Sequence, residues 1–173
     1  MEIKQHTFKF RTGDTDEKGG CTFIGGSWVD KTTDELFKGK RVVLFSLPGA
    51  FTHTCSGEQL PSYDRDYDKF KEAGIDDVYC ISVNDAFVMN AWARDLQIKN
   101  VKMIPDGCGT FTRAMGMLVN KPKQGFGLRS WRFAAIINDG QLEKAFIEPG
   151  LNNFSDDDDP YTVSNPTHVL EQL

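Results

Sequence analysis

Short β-like runs of apolar residues alternate along this chain with longer helical repeats. Residues 7–11 alternate polar and apolar side chains, which predicts a strand with one buried face. Residues 41–47 and 78–83 are nearly continuous apolar runs, rich in β-branched and aromatic side chains. Because such runs are typical of strands buried on both faces, these two strands should form the centre of a sheet.

Between the predicted strands, apolar residues recur at every third or fourth position, as they do in helices. Residues 56–73 carry apolar side chains at every third or fourth position, which predicts an amphipathic helix that Pro61 should kink. Residues 87–96 predict a second helix, with Asn84 and Asp85 as its cap. Shorter helices are predicted at residues 32–37, 110–117 and 165–173.

The remaining strands decide the fold class. Residues 101–105 predict a short strand, and residues 131–137 and 142–147 predict a β-hairpin around an Asn-Asp-Gly turn. Strand, helix, strand, helix and strand, followed by a hairpin and a final helix, predict an α/β architecture with a mixed sheet. We also expect a loop at residues 13–20, a second N-terminal strand at 21–28 and a flexible break at 125–127.

Length and charge narrow the possible functions. A chain of 173 residues suits one domain, residues 1–173, that buries its core without disulfides. The net charge of −5 offers no basic patch, so a nucleic-acid partner is not expected. No segment reaches the roughly 18 apolar residues of a membrane span, and the first residues lack a secretory signal. We therefore expect a cytoplasmic protein with no membrane partner.

The cysteines do not form a metal site. Cys21, Cys55, Cys80 and Cys108 are far apart, with no C-x-x-C motif and no histidine at ligand spacing. They are interpreted as free thiols. The acidic run at residues 156–159 lacks the ligand pattern of a calcium loop and should be a solvated loop. The glycines do not form a nucleotide fingerprint, so neither metal nor cofactor is predicted.

Cys55 has the most distinctive position of the four cysteines. It follows a buried strand and a Pro-Gly turn, and it begins a predicted helix. A helix start offers unpaired N–H groups and the positive end of the dipole, and a thiol placed there is expected to be a nucleophile. Thr52 stands where a dithiol exchanger would have the first cysteine of its C-x-x-C motif, and its hydroxyl can hold an oxygen substrate beside the sulfur. The alternative is a buried structural cysteine.

The motif Pro48-x-x-x-Thr52-x-x-Cys55 resembles the active-site motif of the peroxiredoxins. The wider string at residues 47–61 looks like the type-five (type II) subfamily. This resemblance implies a thioredoxin-like fold with N-terminal strand additions. It also implies a thiol-dependent peroxidase that reduces hydrogen peroxide or alkyl hydroperoxides through a sulfenic acid on Cys55. In this chemistry Thr52 aligns the attacked oxygen, and Pro48 walls the thiolate from bulk water.

The reaction also needs a fixed cation, for which arginine is best because it stays charged and forks its donors. Arg129 and Arg132 lie where the chain enters the predicted hairpin, and their positions alone do not choose between them. Arg132, at the first position of a strand, resembles the family's active-site arginine. The resemblance further implies that Glu58 orients this arginine, and it marks Gln59 as a departure, because the subfamily often has histidine there.

His53 also departs from the family, which usually has proline at this position. We expect an exposed loop histidine, although a protonated His53 would favour the thiolate.

A sulfenic acid must condense with a thiol or be over-oxidised. Some type-five relatives have a resolving cysteine around the segment that corresponds to residues 161–164, which contains no cysteine here. A one-cysteine cycle, regenerated by glutaredoxin with glutathione or by thioredoxin, is therefore the main hypothesis. Cys80 lies inside a predicted core strand, whereas Cys108 and Cys21 lie near glycine-rich turns, and all three remain candidate resolving cysteines.

The resemblance also implies a homodimer, formed through the face that carries Phe51 and the loop around Phe126. Two other functions use the same residues differently. A peroxide-sensing redox regulator would pass the oxidation of Cys55 to a partner protein. A non-catalytic thioredoxin-like interaction domain would leave Cys55 inert.

Overall fold

The computed structural model describes residues 2–13, 25–151 and 159–173. The strands are β1 (Thr7–Thr12), β2 (Ser27–Thr32), β3 (Arg41–Ser46), β4 (Asp77–Ser82), β5 (Lys102–Pro105), β6 (Leu118–Lys121), β7 (Gly127–Ser130), β8 (Phe133–Asn138) and β9 (Gln141–Ile147). The α-helices are α1 (Thr33–Phe37), α2 (Leu60–Arg65), α3 (Tyr67–Glu72), α4 (Ala86–Asp95), α5 (Thr110–Ala114) and α6 (Pro166–Leu170). A π-helical turn, Cys55–Gln59, precedes α2. Within the described ranges, no helix is long and apolar enough to cross a membrane.

A five-stranded mixed sheet in the order β5-β4-β3-β8-β9 lies at the centre of the fold. β3 pairs in parallel with β4 and antiparallel with β8, while β9 forms a hairpin with β8. The predicted α/β architecture with a mixed sheet is therefore confirmed. β1 and β2 form a separate antiparallel ribbon, and β6 and β7 form another.

β3 is buried on both faces because its side chains enter two core clusters. Val43 and Phe45 pack with Tyr63 and Trp92 on one side of the sheet, and Val42 packs on the other side with residues of α1 and α5. Full burial of one such side chain contributes about 1.5–3 kcal/mol. The carboxyl end of β3 is thus a rigid base for the loop that follows it.

The helix predicted at residues 56–73 is broken into three parts. The chain is helical from His53, and the N–H of Leu60 then donates to the Cys55 carbonyl across a π-helical turn. Pro61 is the second residue of α2, a first-turn position where proline is tolerated, and the predicted kink is replaced by the π-helical turn before it. A second break falls at Asp66, between α2 and α3.

Several shorter predictions are confirmed. Thr32 and Glu35 form a capping box at α1, and Asp85 caps α4 through the N–H of Val88. The terminal helix predicted at residues 165–173 is present as α6, where Asn165 is the cap. The predictions for residues 14–24, which include Cys21, lie outside the described residues, and the strand predicted at 21–28 is seen as β2 at Ser27–Thr32.

Residues 115–132 differ most from the prediction. α5 ends at Ala114, and the expected flexible break is instead the turn of the hairpin between β6 and β7. Gly125 and Gly127 both adopt positive φ, which suits a tight turn. β8 begins at Phe133 rather than at residue 131. Each strand of this hairpin has only four residues, too few for a clear alternation of apolar and polar side chains.

Candidate active site

Cys55 lies just beyond β3, at the start of the helical segment that opens at His53. The N–H of Ser56 donates to the Thr52 carbonyl at 2.9 Å and so forms the first turn of this segment. The Cys55 side chain is in the core, with 1% of the residue exposed. Pro48 is also buried, in the loop between β3 and the thiol, whereas His53 is exposed as expected.

The loop between β3 and Cys55 is anchored by hydrogen bonds. The N–H of Ala50 donates to Asn84 Oδ1 at 3.0 Å, and Ser82 Oγ donates to the same oxygen at 2.7 Å. Asn84, which was predicted to help cap α4, thus fixes the active-site loop to the end of β4. Thr52 Oγ1 donates to the Gly49 carbonyl at 2.8 Å. The lone pairs of this hydroxyl oxygen can then accept a hydrogen bond from a bound molecule.

Arg132 lies in the short connection between β7 and β8 and has only 1% of its surface exposed. Its Nη1 lies 3.7 Å from Cys55 Sγ and also donates to Gln59 Oε1. Its Nη2 pairs with Asp159 Oδ1. Nε is buried and has no hydrogen-bond partner among the described residues. Nη1 therefore faces the thiol, and Nε is a buried donor without a partner among the described residues.

Charge keeps Arg132 ionised at this depth. Burial alone would lower the pKa of the guanidinium, but the negative charges of Cys55 and Asp159 outweigh this effect and raise the pKa above its usual value. A buried cation therefore faces the sulfur, and this arrangement stabilises a thiolate.

Gln59, rather than Glu58, holds the arginine. Gln59 is fully buried and lies four residues after Cys55 in the helical segment. Its Nε2 donates to the Ser46 carbonyl at 3.1 Å, while its Oε1 accepts from Arg132. Glu58 is exposed, and the hydrogen bonds described for the Arg132 side chain are with Cys55, Gln59 and Asp159. The expectation that Glu58 orients the arginine is therefore wrong. Neighbouring positions on a helix point in different directions, and only Gln59 faces inward.

Arg129 also approaches the active-site loop. Its Nη1 lies 2.6 Å from where a Cβ atom on Gly49 would be, so the guanidinium lies against the loop at Gly49 and a side chain there would displace it. Its Nε donates to the Phe126 carbonyl at 3.0 Å, and its Cζ lies 5.4 Å from the centre of the Phe126 ring. Burial lowers the pKa of Arg129, and the negative charge of Cys55 opposes this shift. Both arginines thus act on the surroundings of one thiol, although only Arg132 makes a contact with the sulfur.

The acidic run expected to be solvated contributes a contact to the site. Residues 156–158 lie outside the described residues, but Asp159 pairs with the buried Arg132. Tyr161, two residues later, lies under the guanidinium, with Arg132 Cζ 5.6 Å from its ring centre. Sequence reasoning missed Asp159 because nothing distinguishes it locally from the acidic residues before it. The following Pro160 and Tyr161 were the one sign of an ordered segment.

The other described cysteines have different surroundings. Cys80 is fully buried in β4, and burial raises the pKa of its thiol well above its usual range, with Cys55 raising it further. Cys108 is exposed in the turn after β5.

Comparison with known proteins adds the family context. The family model described as Redoxin matches residues 27–162. A peroxiredoxin of Rhizobium etli is 56% identical over 169 residues, which cover 96% of this chain and 91% of that protein. The hybrid peroxiredoxin hyPrx5 of Haemophilus influenzae is 46% identical over 172 residues, which cover 99% of this chain and 64% of that protein. The crystal structure of the Plasmodium falciparum antioxidant protein, described as a 1-Cys peroxiredoxin, has a TM-score of 0.89 at 37% identity and covers 99% of this chain and 97% of its own.

Proposed function

Since this chain belongs to the peroxiredoxins of the type-five subfamily, with their thioredoxin-like fold, and is a thiol-dependent peroxidase, we propose that Cys55 is its peroxidatic cysteine. The observation that carries this proposal is the contact of 3.7 Å between Cys55 Sγ and Nη1 of the buried Arg132. A thiolate that attacks peroxide needs a fixed cation, and a guanidinium supplies one together with directed donors.

In the proposed reaction the Cys55 thiolate attacks one oxygen of hydrogen peroxide or an alkyl hydroperoxide. An S–O bond forms and the O–O bond breaks, so two electrons pass from sulfur to the peroxide. The sulfur becomes a sulfenic acid. The second oxygen leaves as hydroxide or alkoxide and takes up a proton to give water or an alcohol.

Three other residues have roles in this step. Arg132 Nε, which is buried without a partner, donates to the peroxide and stabilises the developing charge. Thr52 Oγ1 accepts a hydrogen bond from the peroxide O–H, because its own proton is directed to the Gly49 carbonyl. Pro48, which is buried and has no N–H, forms an apolar wall beside the reacting atoms.

We further propose a one-cysteine cycle. The sulfenic acid condenses with an external thiol to give a mixed disulfide and water, and a second thiol then releases Cys55 and forms the external disulfide. Cys80 is a poor resolving residue because it is fully buried and its thiol pKa is raised by burial. The similarity to a protein described as a 1-Cys peroxiredoxin supports the same cycle. Glutathione with glutaredoxin, or thioredoxin, is the proposed reductant, which suits a reducing compartment such as the cytoplasm.

The test is peptide-resolved mass spectrometry of the reduced protein after one equivalent of hydrogen peroxide, with a sulfenic-acid trap present. We expect an adduct confined to Cys55, and a mixed disulfide at Cys55 when glutathione replaces the trap. The Cys108→Ser variant is the matched control and should give the same adduct. A disulfide between Cys55 and Cys80 or Cys108 would overturn the one-cysteine cycle, and an unmodified Cys55 would overturn its catalytic role.

A homodimer is proposed on the face that carries the active-site loop. Phe51 is 56% exposed although it adjoins the buried loop, and Leu128 of β7 is 52% exposed. Exposed apolar side chains of this size favour an interface. Sedimentation of the wild-type protein and of Phe51→Asp tests this: the wild type should sediment as a dimer and the variant as a monomer. A monomeric wild type at micromolar concentration would contradict the proposal.

A further inference from the structure

Arg132 is held at both ends of its guanidinium plane. Gln59 accepts from Nη1, which also faces Cys55 Sγ, and Asp159 accepts from Nη2. Because the guanidinium is rigid, the position of Nη2 fixes the direction of the other donors. We propose that Asp159 is a positioning residue, whose carboxylate holds Arg132 so that Nη1 faces the sulfur and Nε is left for the peroxide. This inference rests on the proposed roles of Cys55 and Arg132.

The segment that carries Asp159 is itself firmly anchored. Glu148 follows β9, is 1% exposed, and accepts hydrogen bonds from the N–H groups of Thr162, Val163 and Ser164 and from the hydroxyls of Thr162 and Ser164. Burial alone would raise the pKa of the Glu148 carboxyl, but the hydrogen bonds from Ser164 and Thr162 outweigh it and lower the pKa. The carboxyl therefore stays ionised at neutral pH and keeps all these bonds.

The anchor is tied directly to the backbone of the arginine. The N–H of Glu148 donates to the Arg132 carbonyl at 3.2 Å, and Trp131 Nε1 donates to the Glu148 carbonyl at 2.9 Å. Asp159 is separated from the first anchored residue, Thr162, by Pro160 and Tyr161 only. A short connection that contains proline limits the movement of Asp159, so its carboxylate meets Arg132 at a defined place.

Tyr161 adds a second contact to the same guanidinium. Its ring lies under Arg132, and its hydroxyl is 3.1 Å from Ser62 Oγ of α2. Burial raises the pKa of Tyr161 to about 12, although the Ser62 hydrogen bond and Arg132 act in the opposite direction. At neutral pH Tyr161 therefore supports Arg132 without adding a negative charge, whereas Asp159 contacts it as a carboxylate.

A carboxylate in this position has two separable effects. Its hydrogen bond holds Arg132 in place, which speeds the attack on peroxide, while its negative charge reduces the stabilisation of the thiolate. Asparagine keeps the accepting oxygen and removes the charge, whereas alanine removes both. Among the described residues, Cys80 and Arg129 interact electrostatically with Cys55, Asp159 and Tyr161 interact with Arg132, and Glu58 and Glu148 interact with Tyr161. His53, two residues before Cys55, is exposed.

The test compares Asp159→Asn and Asp159→Ala by two reactions of the reduced protein. Quenched-flow trapping of the Cys55 sulfenic acid measures the rate with hydrogen peroxide, and peptide-resolved alkylation with iodoacetamide measures thiolate reactivity without a peroxide. We expect Asp159→Ala to slow the peroxide reaction about tenfold, because it removes a charge-assisted hydrogen bond to Arg132. The rate of alkylation should change less than about threefold in the same variant. Asp159→Asn should retain the peroxide rate within about threefold and react with iodoacetamide at least as fast as the wild type at neutral pH, because the negative charge that opposes the thiolate is removed.

The exposed Asp95, at the end of α4, provides the matched control, and Asp95→Ala should leave both reactions unchanged. The inference is overturned if Asp159→Ala reacts with peroxide as fast as the wild type. It is also overturned if Asp159→Asn is as slow as the alanine variant, or if alkylation slows in parallel with oxidation. A wild-type protein whose Cys55 does not react with peroxide would instead contradict the proposed function.

Discussion

Two cysteines of the same core cluster have opposite chemical surroundings. Cys55 is 1% exposed and Cys80 is 0% exposed, and both belong to the cluster on one side of the sheet. Arg132 Nη1 lies 3.7 Å from the sulfur of Cys55. Cys80 lies in the middle of β4, with Phe45 of β3 and Met103 of β5 as its neighbours across the sheet. Equal burial therefore gives an inert thiol in one case and, with a fixed cation beside it, a candidate nucleophile in the other.

The largest expected effect comes from removing each thiol in turn. We expect Cys55→Ser to lower peroxide turnover at least about 1000-fold, because the nucleophile is lost, and Cys80→Ser to change it less than about threefold. Peroxide consumption with dithiothreitol as reductant measures both variants. A large loss in Cys80→Ser, with the circular dichroism spectrum unchanged, would show that the buried thiol takes part in turnover.

The second comparison separates the two arginines. We expect Arg132→Met to slow the oxidation of Cys55 about 100-fold, because it removes the cation that contacts the sulfur. Arg129→Met should slow it about tenfold, because Arg129 acts on the loop from a half-buried position with no contact to the sulfur. The rate of sulfenic acid formation after rapid mixing provides the measurement. Equal losses in the two variants would contradict the distinction.

The smallest expected effect concerns stability at alkaline pH. The Cys80 thiol has a raised pKa in the folded protein, so it contributes stability that is complete below the unfolded pKa, about 8.5, and is lost as pH rises toward the folded pKa. Urea unfolding at several pH values, with reductant present, measures the free energy of unfolding. Above about pH 9, this free energy should fall more steeply in the wild type than in Cys80→Ala, by up to about 1.4 kcal/mol per pH unit. Parallel curves for the two proteins would show that this thiol ionises as readily in the folded state as in the unfolded one.

The features predicted most directly from the sequence are those carried by a short continuous stretch. β3 and β4 follow from unbroken apolar runs, and the position of Cys55 after β3 follows from the Pro-Gly turn and the change to helical spacing. The mixed sheet, expected from the order of these elements, is confirmed. The peroxidase activity, which the resemblance of the Cys55 motif to the peroxiredoxins implied, is confirmed as well. The catalytic roles of Thr52 and Arg132 remain proposals.

The partners of the arginine were harder to predict because the fold brings them together from distant positions. Asp159 is 27 residues from Arg132 in the sequence, at the end of an acidic run that resembles any solvated loop. Gln59 did offer a signal, since a polar residue four positions after a buried cysteine lies on the same face of a helix. The π-helical turn Cys55–Gln59 lies directly before the proline of α2. The spacing of apolar residues predicts a helix there, but it does not distinguish a π-helical turn from an α-helical one.

A hydrogen bond from Trp92 to the residue after Cys55 places a fluorescent side chain next to the thiol. Trp92 of α4 is fully buried, and its Nε1 donates at 3.0 Å to Oγ of Ser56, the residue directly after Cys55. Because Cys55 is buried, we expect an external reductant to reach the oxidised sulfur through an opening of the turn Cys55–Gln59. Opening would separate Ser56 from the indole and admit water to it. Tryptophan emission should therefore follow the opening of this turn in real time, with no label attached.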